Sequence, residues 1–165
     1  MSDWAKKRFW KETSVVETEG GFGIALDGRT VKTPAKTALV LPTRALADAV
    51  AAEWDAQGEQ IDPTSMPVTR SANAALDKVA TQHAEVADML AEYGGSDLLC
   101  YRATTPTELI ARQVEAWDPL LAWAEEALGA KLKPVAGIMF EAQDPVALAK
   151  LRERVHAFDN FQMAA

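Results

Sequence analysis

The stretch EWDAQGEQIDPTSMPVTRSANAALD, from Glu53 to Asp77, decides how the chain is read. Glu53-Trp54-Asp55 closes a helical pattern, Gly58 is a fitting stop, and Ile61, Pro63, Met66 and Pro67 mark an extended loop before another helix opens. Upstream the residues read as short strands, and downstream nearly all of them read as helix. The fold class expected is therefore α+β: a small antiparallel β-meander over 1–42, then an all-helical part over 43–165.

Upstream, Val15-Val16 leads into Gly20-Gly21, and Phe22, Ile24 and Leu26 alternate with small residues, the period of a half-buried strand. Asp27-Gly28 is a hairpin signal, followed by Arg29-Thr30-Val31-Lys32-Thr33 up to Pro34. Leu39-Val40-Leu41 is read as a fourth strand of the same sheet. Trp4, Phe9 and Trp10 are available to cover its apolar face, as is the helix that follows.

Downstream, Thr43 is the expected N-cap of a helix carrying Ala45, Leu46, Ala49, Val50, Glu53 and Trp54. Ala72, Ala75, Leu76 and Val79, then Val86, Leu90 and Tyr93, mark two helices or one bent one. Ser96–Tyr101 is an apolar run too short to classify. Thr105-Pro106 opens a helix that reaches Gly129, with a kink or break expected at Pro119. Residues Leu132–Phe140 read as a connector or short strand. A last helix starts near Asp144-Pro145, with Leu148, Leu151, Val155 and Phe158 on one stripe. No stop signal follows it, so further helical sequence is expected after Ala165.

The 165 residues are 48% hydrophobic and 25% charged, ordinary globular values, with a formal charge of −7. That charge argues against a nucleic-acid or acidic-membrane binder, which needs a positive face. The basic residues gather early and most acids lie beyond Ala45. A single cysteine, Cys100, excludes an internal disulfide and a cysteine-rich metal site. No signal-peptide core and no apolar run of membrane-spanning length is visible.

Signs of catalysis are weak. Gly20-Gly21-Phe22-Gly23 matches neither phosphate-binding glycine motif, so no cofactor is expected. His83 and His156 lack metal-ligand spacing and read as exposed or capping helix residues. Cys100 has no local activator and reads as a buried structural thiol. Glu53, Asp55, Glu59 and Asp62 are close in sequence; a solvated helix end is favoured over a converging acid pair. Five tryptophans, with Ile61, Met66-Pro67 and Met139, offer adaptable apolar surface of the kind partner-binding proteins use. No catalytic or metal residue is assigned.

The run Glu53-Trp54-Asp55-Ala56-Gln57 … Ile61-Asp62-Pro63 … Met66-Pro67-Val68-Thr69 resembles the assembly-chaperone family that attends the alpha subunit of the F1 sector of ATP synthase. Arg8-Phe9-Trp10-Lys11, Leu26-Asp27-Gly28-Arg29, Val31-Lys32-Thr33-Pro34, Asp97-Leu98-Leu99-Cys100-Tyr101-Arg102, and Arg112-Gln113 with Trp117-Asp118-Pro119-Leu120-Leu121 agree in order and spacing. Ser71 departs, standing where the family has a larger apolar residue. The resemblance implies an N-terminal β domain and a helical domain continuing past Ala165 with an acidic region. It also implies a non-enzymatic role: shielding the unassembled alpha subunit until beta replaces the chaperone.

On that reading the client patch draws on Trp54, Ile61, Met66 and Trp117, with Gln57, Arg70, Arg112 and Gln113 as a polar rim. A monomer in the bacterial cytoplasm is expected, or a mature form in the mitochondrial matrix. The competing readings are a small carboxylate-dependent hydrolase around Glu53–Asp62 and a regulatory adaptor with another partner.

Overall fold

Alternating residues and two glycine-containing turns build a three-stranded antiparallel sheet from β1 (Thr13–Thr18), β2 (Gly21–Leu26) and β3 (Arg29–Thr30), in that order. The computed structural model describes residues 7–165, so the cover expected from Trp4 lies outside the described residues. Asp27 (φ 48°) and Gly28 (φ 78°) make the tight turn in which both central residues have positive φ. The Asp27 carboxylate also accepts the Glu12 N–H at 2.9 Å and the Lys11 N–H at 3.1 Å, and those bonds hold its pKa below the ordinary value.

The fourth strand does not form. The segment 38–41 returns only as isolated bridges, Leu41 with Phe22 and Ala38 with Lys32. Phe22 and Leu41 exchange backbone hydrogen bonds at 2.9 and 2.8 Å, close enough that a Cβ on Gly21 would lie 2.3 Å from the Leu41 carbonyl oxygen. A turn over Thr33–Thr37 consumes the residues that a longer ladder would need.

Helix α1 (Arg44–Asp55) starts where expected, with the Thr43 hydroxyl accepting the Leu46 N–H at 3.2 Å. It packs on β1 and β2, and its Ala47 and Val50 join Ile24, Leu39, Leu41 and Ala72 in one buried cluster. Burying Ile24, Leu41 and Val50 contributes about 1.5–3 kcal/mol each. Trp10, not Phe9, is the buried aromatic, set edge-on to Trp54 with ring centroids 5.3 Å apart. A 3-10 turn over Pro63–Ser65 leads to α2 (Pro67–Asp77), and another at Val79–Thr81 separates it from α3 (His83–Glu92). Two helices, rather than one bent one, is the outcome.

The chain divides into two compact units, one reaching to Gln82 and including Asp159–Ala165, the other His83–Phe158. The composition boundary at 42/43 follows secondary structure; the compact units follow packing, because α1 and α2 supply the sheet's core.

In the second unit, Ser96–Tyr101 becomes a 3-10 turn at Leu98–Cys100 leading into β4 (Tyr101–Arg102). Helix α4 (Thr107–Leu128) begins with Pro106 as its N-cap residue, so the Thr105 hydroxyl is not the cap. It runs through Pro119 as one element, with Leu121 and Ala124 packed just beyond the proline. Gly129 closes it, and β5 (Val135–Ala136) pairs parallel to β4. Asp144 caps α5 (Pro145–His156) through the Val146 N–H at 2.8 Å. Cys100, Leu121, Ala130, Leu132 and Ala147 form this unit's core. Helices α3 and α5 are joined by Asp88, which binds Arg152 and the His156 ring nitrogen, the latter at 2.7 Å.

The expected unstopped last helix is corrected. Helix α5 ends at His156 with Arg154 and His156 in its final turn, suited to the negative end of the helix dipole. Asp159 then opens α6 (Asn160–Ala164) with a capping box formed with Gln162, in the first unit.

Candidate functional site

The residues of the Glu53–Thr69 loop are held by side chains rather than left free. The Gln57 amide donates to the Glu53 carbonyl and to Ser65 Oγ at 3.0 Å each, while its oxygen accepts the Asp62 N–H at 2.7 Å. Gln57 is buried just past the C-cap of α1 at Ala56, and its amide satisfies the Glu53 carbonyl in the helix's last turn. The Glu53 carboxylate accepts the Val68 and Thr69 N–H groups at 2.8 and 2.7 Å and the Thr69 hydroxyl at 2.6 Å. It caps α2, whose own N-cap residue, Met66, offers no oxygen.

This geometry corrects two of the expected partner contacts. Gln57, 5% exposed with its amide committed to the loop, is not a rim residue, and Met66, 3% exposed, belongs to the interior. Trp54 is half-buried against Trp10, and Ile61 is half-buried. Arg70 is exposed and lines a broad recess of about 640 Å³ with Asp77, Lys78 and Ser71. Ser71, small where bulk was expected, faces both this recess and a smaller apolar one beside Leu46 and Phe161.

Three of the four carboxylates here are likewise committed, Glu59 standing exposed. Glu53 caps α2, Asp55 pairs with Arg8 at 3.5 Å, and Asp62 accepts the Thr64 hydroxyl and N–H at 2.6 and 2.9 Å. Those bonds, the hydroxyl's first, lower the Asp62 pKa, the opposite of what a general acid needs. Cys100 is buried, and desolvation, with Asp97 second, raises its thiol pKa, which disfavours the reactive thiolate. His83 and His156 bind the Phe158 carbonyl and Asp88, the roles of helix-joining residues. Among the described residues there is no cluster of metal-ligating side chains and no helix long and apolar enough to cross a membrane.

Exposed apolar surface lies elsewhere. Among the described residues, every exposed large hydrophobic side chain except Phe9 belongs to the second unit. The most prominent run is Ile138-Met139-Phe140, exposed by 90%, 79% and 69%. Ile138 forms one wall of a groove of about 470 Å³ whose other walls are Leu98, Tyr101, Trp117 and Gln113. Arg102 shapes the groove. Its guanidinium stacks over Trp117 at 5.5 Å, its Nε donates to the Leu99 carbonyl at 2.8 Å, and it pairs with Asp118 at 2.7 Å. Gln113 Oε1 accepts the Ala103 N–H at 2.8 Å, tying the strand exit to α4.

Two expected site residues, Gln113 and Trp117, are thus brought together in this groove, while Arg112 stands exposed on α4. Met139, expected as adaptable apolar surface, is indeed exposed. Leu98, Tyr101, Arg102 and Ile138 went unassigned. Ile138-Met139-Phe140 just after Gly137 was the available signal, three consecutive apolar residues in a stretch with no helical period.

Comparison with known proteins places this geometry in a family. Residues 7–125 match the family described as "ATP12 chaperone protein". The crystal structure of Atp12 from Paracoccus denitrificans is 49% identical, covers 98% of this chain and 70% of its own, and superposes with a TM-score of 0.92. A putative chaperone from Agrobacterium tumefaciens is 44% identical, covering 96% of this chain and 60% of its own, with a TM-score of 0.90. The mitochondrial protein atp12 of Schizosaccharomyces pombe is 29% identical over 96% of this chain, which spans 59% of that protein's length. With most of its length matched and the fold shared, the chain belongs to the ATP12 chaperone family.

Proposed function

We propose that this chain is a non-catalytic assembly chaperone that holds the unassembled alpha subunit of the F1 sector of ATP synthase until the beta subunit displaces it. The observation that carries the reading is the family match over residues 7–125, and the apolar surface of the second unit is what the task requires. An alpha subunit without beta exposes the apolar face it later buries, and such faces aggregate. A holder that uses no nucleotide must cover that face by equilibrium affinity and lose it to a stronger competitor. Adaptable apolar side chains with a polar border serve this better than a rigid pocket. Ile138, Met139 and Leu98 supply the adaptable part, and Trp117 and Gln113 the fixed wall and border. Arg112 is kept as rim, and Ile61 and Arg70 as contacts on the first unit; Trp54 acts through the fold. The protein works as a monomer in the bacterial cytoplasm or, as the alternative, in the mitochondrial matrix.

The test is light scattering of purified alpha subunit diluted from denaturant. Near-equimolar chain is expected to suppress scattering, and added beta to reverse the protection. Ile138→Asp combined with Leu98→Asp should abolish suppression without lowering the melting temperature, since both side chains are exposed. Full suppression by that double variant refutes the groove; no suppression by the unaltered chain refutes the chaperone reading.

A further inference from the structure

Helix α4 carries a second apolar feature that the groove does not use. Leu109, Arg112, Ala116, Leu120, Trp123 and Ala127 recur every three or four residues, so they share one helical face, and all are exposed. Leu109, Leu120 and Trp123 are 42%, 49% and 57% exposed, and the alanines between them leave room for close approach. The face runs from Leu109 to Ala127, about 27 Å at helical rise.

Charge says what fits there. Of the five acids on α4, Asp118 is paired with Arg102 and Glu125 with Lys131. Glu108, Glu115 and Glu126 make no ion pair among the described residues, and helical spacing puts them in one strip alongside the apolar face. Arg112, the only base on the helix, sits within the apolar face and likewise makes no ion pair among the described residues. A second copy fits poorly. Docked antiparallel about a two-fold axis it would align acidic strip with acidic strip, and docked parallel it would set Arg112 against Arg112.

We propose that this face of α4 is the docking site for a basic amphipathic helix of the held client. That helix lays an apolar stripe on Leu109, Leu120 and Trp123, runs lysines or arginines beside Glu108, Glu115 and Glu126, and sets a carboxylate opposite Arg112. The inference rests on the holding role proposed above and names the secondary structure and charge of what is held.

The probe is a labelled synthetic 18-residue peptide with leucines at helical spacing, lysines along one flank and one glutamate placed to meet Arg112, followed by fluorescence anisotropy. The expected result is binding that weakens with salt and is lost at least about tenfold with Leu120→Asp. Arg112→Glu should weaken binding about tenfold, and a peptide with lysine in place of its glutamate should restore it to that variant. Circular dichroism on both variants excludes misfolding as the cause. Equal affinity for a scrambled peptide overturns the proposal. So does a dimer in sedimentation that Leu120→Asp dissociates, which assigns the face to a second copy. Tighter binding at Leu120 by a peptide from the unmatched part of the S. pombe protein overturns it too, assigning the face to packing within longer chains. If alpha is still held by Leu120→Asp as by the unaltered chain, this inference falls while the chaperone reading stands. If the unaltered chain holds no alpha, the chaperone reading itself falls.

Discussion

Replacing Glu53 by alanine tests the claim that a side chain from one helix starts the next. The substitution removes the acceptor for the Val68 N–H, the Thr69 N–H and the Thr69 hydroxyl, bonded at 2.8, 2.7 and 2.6 Å. Thr69 is 4% exposed, so its groups do not recover full hydration when the carboxylate goes. A hydrogen bond to a charged acceptor contributes about 1.5–3 kcal/mol, but the three share one carboxylate, and Glu53 is only half-buried, so water replaces part of the loss. Together with the lost helix cap, the cost is about 2–4 kcal/mol, a fall of roughly 5–15 °C in melting temperature. Glu53→Gln keeps one acceptor but turns an NH2 toward a donor, so its cost should be intermediate. The assay is urea unfolding followed by tryptophan fluorescence, with hydrogen exchange read at Val68 and Thr69. Glu53→Ala within about 0.5 kcal/mol of the original, with both amides still protected, refutes the capping argument.

Two further substitutions probe the sheet and the acid response. Gly21→Ala puts a methyl 2.3 Å from the Leu41 carbonyl oxygen and should cost about 2–4 kcal/mol, whereas Gly28→Ala meets no neighbour and carries only the penalty of its positive φ, about 1 kcal/mol. Equal effects in thermal melts would mean the segment at Leu41 moves aside. Asp27, Asp62 and Asp77 all have folded pKa values below 3.8, held there by hydrogen bonds to Glu12, Thr64 and Thr33 respectively. Their contribution is present above pH 3.8 and is lost as pH falls through the lower folded values. Asn at all three positions should therefore flatten the fall of stability with acid below that pH; an unchanged slope in pH-dependent urea midpoints sinks the claim.

The residues themselves determined those features whose physics closes within a few positions. Asp27-Gly28 had to turn because positive φ is cheap there, Thr43 and Asp144 had to cap because their oxygens reach an N–H two or three residues on, and Gly129 had to end α4. The family was legible too, through motifs spread in order along the chain. Tertiary structure decided the rest, because each remaining question concerns what a side chain meets far away in sequence. Leu39-Leu41 has strand composition, yet its backbone joins the sheet only at isolated bridges, since ladder length depends on the partner's path. Met66 and Ile138 are equally apolar by composition, but one is 3% and the other 90% exposed, according to whether another element folds over it. Gln57 and Gln113 read alike as polar rim. One is consumed by a loop; the other borders the groove at Trp117. Burial is a property of packing, and local sequence carries only its probability.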